Sequence, residues 1–184
     1  MKISSIELFN EAMPLTRPYT IAFRTIADVR MNFVALHTTS GLVGLGCASP
    51  EPHVTGETYA ACSAALEPQA LQWLEGEDVR ALARLCRTLH QRMPATPAAR
   101  AALDMALHDL LAQHLGVPLV ELLGRAHHAL PTSITIGIKN VDDTLAEARE
   151  YVGRGFKVLK VKLGHDLEED IARLNRLREA LQPA

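Results

Sequence analysis

The chain has 184 residues, 48% hydrophobic and 22% charged, with a formal net charge of −2; its sequence pI is about 6.4 and its mean hydropathy +0.05. This is the make-up of an ordinary globular protein with a sizeable core. It offers no basic field to draw nucleic acid or an anionic membrane, and no apolar run long enough to span a bilayer.

Met1 to Glu7 lacks the apolar core and small-residue cleavage site of a secretory signal, which predicts a cytoplasmic protein. The three cysteines, Cys47, Cys62 and Cys86, are odd in number and too widely spaced for a zinc knuckle. They read as reduced, partly buried thiols, not a disulfide framework.

The opening third alternates strand-like runs, Lys2 to Leu8, Arg30 to Thr38 and Leu42 to Ala48, with Ser40-Gly41 as a tight turn between the last two. From Glu57 to about Leu123 the pattern is helical, punctuated by Pro68, Pro94, Pro97 and Pro118. Strands followed by a helical block predict an α+β domain. The clearest helix runs from Pro97 to Leu115, with Leu103, Leu107, Leu110, Leu111 and Leu115 as its apolar stripe, Pro97 in the first turn and Gly116 as the stop.

Beyond Pro131 the rhythm becomes β-α-β-α: Ser133 to Ile138, Asp142 to Gly153, Lys157 to Leu163 and Leu167 to Leu181. Such units predict a parallel sheet. The stretch Gly124 to Pro131 is the candidate boundary, giving domains 1–124 and 131–184. Two units cannot close a barrel, so the second domain is expected to be the first part of an incomplete (β/α) barrel.

In the run Lys157 to Leu163, alternation puts Val158, Lys160 and Lys162 on one face and Leu159, Val161 and Leu163 on the other. The apolar face would meet helices, leaving both lysines towards the barrel interior, where an unpaired ammonium is costly. Same-face neighbours sit about 7 Å apart along a strand, so repulsion and partial burial favour one neutral amine, which can act as a base. Lys162, nearer the carboxyl end of the strand, is the candidate base, and Lys160 would place positive charge beside a developing enolate. The plain alternative is an amphipathic antiparallel strand with two solvated lysines; the preceding βα unit favours the buried, parallel setting.

Other patterns yield structural readings. Gly41-Leu42-Val43-Gly44-Leu45-Gly46 mimics a dinucleotide fingerprint but leads into a loop, so it reads as a hairpin. Asp104 and His108, four apart with Asp109 beside them, mimic a metal or catalytic cluster but read as packing and local hydrogen bonding; His127-His128 reads as an exposed linker pair.

The stretch Ala101-Ala102-Leu103-Asp104-Met105-Ala106-Leu107-His108-Asp109-Leu110, followed by Gly116-Val117-Pro118-Leu119 and Leu122-Leu123-Gly124, is similar to the capping-domain helix of the muconate-lactonising branch of the enolase superfamily. Lys160-Val161-Lys162 matches that branch's paired-lysine motif. Within the branch, Pro18 to Thr25, Thr55 to Thr58 and Thr132 to Gly137 resemble the L-Ala-D/L-Glu and related dipeptide epimerases.

That resemblance implies a two-base 1,1-proton transfer on a dipeptide. One lysine takes the α-proton, magnesium stabilises the enolate, and a second lysine returns a proton on the opposite face. Lys162 matches the first base, and Arg24 matches a mobile-loop residue that pairs with a substrate carboxylate, a task suited to a guanidinium. Thr135, sharing a strand face with Ser133 and Gly137, is placed to meet the substrate, and Tyr19 and Thr55 are further candidate contacts. The plain alternatives are a solvated loop arginine for Arg24, a packing role for Tyr19, and for Thr55 a cap on a helix beginning near Glu57.

The family's acidic magnesium ligands and second lysine lie on later barrel strands, which predicts a truncated chain with no magnesium site of its own and no complete reaction. An exposed sheet edge predicts a homo-oligomer. Competing readings are a muconate cycloisomerase or o-succinylbenzoate synthase of the same branch, or a non-catalytic interaction module.

Overall fold

The structure is a computed structural model that describes residues 1–181. The last three residues of the expected 131–184 domain therefore lie outside the described residues. Backbone contacts divide the chain into two compact units: Met1–Met13 with Val29–Ala126, and Pro14–Asp28 with His127–Ala184. No helix among the described residues is long and apolar enough to cross a membrane.

A three-stranded sheet runs in the order β1 (Ile3–Ile21), β2 (Arg24–Thr38), β3 (Val43–Ala48); the first unit holds β1 up to Met13, β2 from Val29 and all of β3, and the intervening hairpin belongs to the second. The strands β2 and β3 pair antiparallel, from Asn32 opposite Ala48 to His37 opposite Val43. Gly41, at φ +83°, completes the turn expected at Ser40-Gly41, and the Thr38 N–H donates to the Leu42 carbonyl at 3.0 Å. β1 and β2 extend far beyond the expected Lys2–Leu8 and Arg30–Thr38, joined by the two-residue turn Ala22-Phe23. Most residues from Phe9 to Arg30 are exposed or half-buried, so no apolar alternation marks the strand there. Backbone pairing is what carries it.

Helices α1 (Pro52–Thr55), α2 (Tyr59–Leu66), α3 (Leu82–Arg92), α4 (Pro97–Leu115) and α5 (Leu119–Leu122) follow, with 3-10 turns at Pro68–Leu74 and Val79–Ala81. α4 spans the residues expected for it and is the centre of the unit. Leu103, Leu107 and Leu110 of the expected stripe are fully buried, each contributing about 1.5–3 kcal/mol. Leu115 is instead 54% exposed, and Ala98, Ala99, Ala102 and Ala106 complete the buried face. The reason is proximity: a Cβ at Gly44 would lie 2.3 Å from the Ala106 carbonyl oxygen, and one at Gly46 1.8 Å from that of Ala102. The glycine-rich run is therefore the bed of a helix, on a strand of the hairpin expected there. Asp109 and Gln113 of α4 complete the β3 edge by accepting from the Leu45 N–H at 2.9 Å and donating to the Val43 carbonyl at 2.8 Å.

Under the start of α4 lies a buried polar group the sequence did not announce. Asn32 occupies the inward register of β2 with Val34 and Leu36, beside Cys62 and Glu57, and all five are at most 1% exposed. Glu57 accepts from the Ala98 N–H at 2.6 Å, so a distant carboxylate satisfies a first-turn donor that the backbone of α4 cannot. Burial, with the Glu57 carboxylate adding, pushes the Cys62 thiol up to about 12, which makes it an inert core residue.

The second unit carries β4 (Ser133–Ile136), α6 (Val141–Gly153), β5 (Val158–Val161) and α7 (Leu167–Leu181). The two strands pair in parallel, Ser133 opposite Val158 through Ile136 opposite Val161, as the β-α-β-α pattern predicts. Its core joins Ile136, Leu145, Ala148, Tyr151 and Leu177, with Ile134, Leu159 and Val161 packed on it. An Asn140 side chain caps α6 by accepting from the Asp143 N–H at 2.8 Å.

Replacing Gly46 with Ala is expected to destabilise the first unit by about 1–3 kcal/mol or more, because the new methyl meets backbone on the facing helix. Urea unfolding of the chain checks this; a midpoint unchanged from the parent would contradict the packing described.

Candidate active site

The site is built on the face of the β4–β5 sheet opposite α6 and α7. Leu159 and Val161 turn to the helical core, so alternation places Thr135, Lys160 and Lys162 on the other face. Thr135 lies directly opposite Lys160 in the ladder. The Lys162 N–H donates to the Ile136 carbonyl at 2.9 Å, which carries the ladder one residue past β5. Lys162 and Thr135 are half-buried, whereas Lys160 is exposed. The two lysines thus differ in environment, and the more enclosed one is at the carboxyl end of the strand.

The hairpin formed by the far parts of β1 and β2 lies across that end. The Ile138 N–H donates to the Thr20 carbonyl at 2.8 Å, and a Cβ at Gly137 would stand 2.7 Å from the Thr20 nitrogen and 2.9 Å from the Tyr19 Cβ. Only a residue without a side chain lets the strand sit this close. One β-turn further on, a Cβ at Gly164 would be 3.4 Å from Ala22 Cβ, so the hairpin turn touches the loop that follows Lys162.

Arg17 holds the hairpin in place. Its guanidinium donates to Glu147 at 2.9 Å, to the Tyr151 hydroxyl at 3.2 Å and to both Glu150 oxygens at 3.1 and 3.0 Å. It also lies 5.5 Å from the Tyr151 ring centroid. Glu147, 6% exposed, further accepts from Lys139 and from the Tyr151 hydroxyl. Burial raises the Glu147 pKa, but the bonds from Lys139, Arg17 and Tyr151 outweigh it, so the carboxyl lies below its ordinary value.

A second anchor fixes the loop after Lys162. The Asp170 carboxylate accepts from the Gly164 N–H at 2.7 Å and is paired with Arg173, which also donates to the Lys139 carbonyl at 3.1 Å. Arg173 is 1% exposed and Asp170 6%. Removing either would strand a buried charge.

Of the expected site residues, Tyr19, Arg24, Thr135, Lys160 and Lys162 all belong to the second unit. Tyr19 is half-buried against Gly137, and Arg24 is exposed as the first residue of β2, with its guanidinium 5.9 Å from the Phe23 ring centroid. Arg24 thus stands at a hairpin turn and not in an irregular loop. Thr55 lies in the first unit, where its hydroxyl donates to the Glu51 carbonyl at 3.1 Å and accepts from the Glu51 N–H at 3.2 Å. The helix cap is Thr58, accepting from the Ala61 N–H at 3.1 Å, because α2 begins only at Tyr59. Arg17, Lys139, Glu147, Asp170 and Arg173 escaped sequence reasoning: apart from the i,i+3 pair Asp170–Arg173, the fold brings their partners together.

Gly137→Ala is expected to lift the hairpin off the sheet and cost about 1–3 kcal/mol in the second unit, read as faster amide exchange at residues 14–28. The depressed Glu147 value sets a pH dependence too. Its contribution is complete above the ordinary glutamate value and is lost as pH falls through the lower folded value. The same amides are therefore expected to lose protection at acid pH in the parent, and to lose less in Glu147→Gln.

Residues 3–124 match the family described as Mandelate racemase / muconate lactonizing enzyme, N-terminal domain. The chain is 63% identical over 98% of its length to the L-Lys-D/L-Arg epimerase of Methylococcus capsulatus, covering 51% of that protein. It is 32% identical over its whole length to the L-Ala-D/L-Glu epimerase of Bacillus subtilis, covering 50% of it. A crystal structure of the Methylococcus capsulatus dipeptide epimerase, complexed with Mg and the dipeptide L-Arg-D-Lys, superposes with a TM-score of 0.95 at 63% identity, over 98% of this chain and 51% of that one. The chain thus spans about half the length of the curated relatives it matches. With the antiparallel sheet, the α4 helix and the opening parallel strands in the places the family requires, this chain belongs to the mandelate racemase / muconate lactonizing enzyme family of the enolase superfamily.

Proposed function

We propose that the protein to which this chain belongs is a dipeptide epimerase, that Lys162 removes the substrate α-proton, and that its preferred dipeptides carry cationic side chains. The observation that carries the reading is the half-buried Lys162 at the carboxyl end of a parallel strand, two residues from Lys160 and beside the seat of the hairpin. Identity of 63% with an L-Lys-D/L-Arg epimerase against 32% with an L-Ala-D/L-Glu epimerase favours the cationic class.

Each residue has a task its chemistry suits. The Lys162 amine accepts the proton as the C–H bond breaks. The exposed Lys160 ammonium, about 7 Å along the same face, supplies positive charge where negative charge accumulates. Arg24, at the hairpin turn, pairs with the carboxylate that every dipeptide retains. Thr135 and Tyr19 line the approach, and Thr55 is a contact assigned by resemblance alone.

Relatives of this chain have been solved with Mg, and a magnesium ion in such an enzyme neutralises developing enolate charge. Magnesium takes hard oxygen ligands. The one group of three clustered potential ligands among the described residues, Cys86, Asp104 and His108, includes a thiol and stands on helices of the first unit. The described residues therefore do not fit a magnesium cage.

The test uses the product of the whole reading frame that contains this chain, with Mg2+ and L-Lys-L-Arg in D2O. Deuterium is expected at the α-carbon of the arginine with formation of the D-epimer, and Lys162→Ala should lower the exchange rate by about 10^2–10^4-fold. Exchange into L-Ala-L-Glu but not L-Lys-L-Arg would overturn the cationic preference. Exchange into neither, or full activity in Lys162→Ala, would overturn the assignment itself.

A further inference from the structure

Three side chains that the proton transfer does not use converge in the first unit. Cys86 of α3 and Asp104 and His108 of α4 each bring one donor atom to within 4.8 Å of the other two. Asp104 and His108 are four apart, hence adjacent on one helical face. Cys86 arrives from the neighbouring helix, whose Leu85 and Leu89 share the core with α4. The sequence shows the first pair but gives no sign of the third member, which lies 18 positions earlier on a different helix.

One edge of this triangle already has the length a metal-ligand set requires, and the other two are at most 4.8 Å. Asp104 Oδ2 and His108 Nδ1 are 3.4 Å apart, and a tetrahedron with bonds of about 2.0–2.3 Å has edges of about 3.3–3.7 Å. All three residues are half-buried. The Asp104 and His108 side chains, 46% and 24% exposed, leave solvent access for a fourth ligand. The donor types select the ion: a thiol with an imidazole and one carboxylate suits a zinc-like cation and is wrong for magnesium.

We propose that Cys86, Asp104 and His108 form a binding site for a thiophilic divalent cation of the zinc type. The Nδ1–H of His108 donates to the Asp104 carbonyl at 2.9 Å, which fixes the ring beside the carboxylate. Burial, then the facing Asp104 carboxylate, push the Cys86 thiol up to about 12. It is therefore no nucleophile at neutral pH. A bound cation reverses that balance: the S–H proton leaves to solvent as the sulfur–metal bond forms, and nothing is oxidised or reduced. If Nδ1 is the coordinating nitrogen, the imidazole exchanges its bond to the carbonyl for one to the metal. Occupancy would tie α3 to α4 at their exposed rim.

The test is titration of the reduced, metal-free 184-residue chain with Co2+ as a spectroscopic stand-in. One equivalent is expected to produce a sulfur-to-cobalt charge-transfer band and the visible bands of tetrahedral Co2+; Zn2+ should displace it and millimolar Mg2+ should not. Cys86→Ser should abolish the charge-transfer band. Asp104→Asn and His108→Ala should each weaken binding at least about tenfold, while Cys47→Ser should leave it intact. Circular dichroism monitors the fold of each variant, and 113Cd resonance of the parent, expected in the one-thiolate range, needs no variant. Absence of a saturable one-equivalent band, a band that survives Cys86→Ser, unweakened binding in both of the other variants, or a cadmium resonance lacking sulfur coordination would overturn the site.

Discussion

The arrangement of the second unit depends on one missing side chain. At Gly137 the Thr20 backbone and the Tyr19 Cβ approach the sheet more closely than any Cβ would permit, and the Ile138 N–H makes use of that closeness by donating to Thr20. Everything the hairpin contributes follows from that seat: the half-burial of Tyr19, the position of Ala22 against the loop after Lys162, and the placing of Arg24 at the turn. A hairpin with so few buried residues has little hydrophobic adhesion of its own. The guanidinium of Arg17, engaging Glu147, Glu150 and Tyr151 together, supplies a directional fastening where apolar area is lacking.

Buried carboxylates recur as fixings, each answering a particular donor. Glu57 satisfies a first-turn amide of α4; Glu147 gathers Arg17, Lys139 and Tyr151; Asp170 takes the Gly164 amide and Arg173. The last two bracket the connections that leave β4 and β5, so the segments bordering Thr135 and Lys162 are set by charge-assisted bonds as well as by the ladder. The proton abstraction proposed for Lys162 would call for such a frame, since small misplacements are costly in rate.

Legibility in the sequence followed periodicity. α4 and the β-α-β-α segment were readable because their apolar spacing is regular, and the lysine pair stood out because polar residues broke the expected pattern of a buried strand. The hairpin from Phe9 to Arg30 was not readable as a strand, since its residues are largely solvated and its conformation is imposed by pairing. Leu115 was misread as core because the helix buries alanines where glycines approach, and size alone does not reveal which face a neighbouring backbone will choose. The tasks of Gly137 and Arg17 depend on partners 117 and 130 positions away, distances over which no local pattern carries information, and Asp170 answers a backbone amide 6 positions back, which side-chain periodicity does not show.

The bedding of β3 on α4 has a further implication for how this protein can vary. The atoms nearest to the absent side chains of Gly44 and Gly46 include the carbonyl oxygens of Ala106 and Ala102, and a carbonyl is present whatever amino acid occupies the helix position. No second substitution across the interface can therefore make space for a larger residue at Gly46. Accommodation would require the helix to slide or lift as a body, which the bonds from Asp109 and Gln113 to the strand oppose. Both positions are blocked by main chain, with the Leu110 side chain adding to the block at Gly44, so pairwise compensation, the usual route by which packed cores drift, is closed to them.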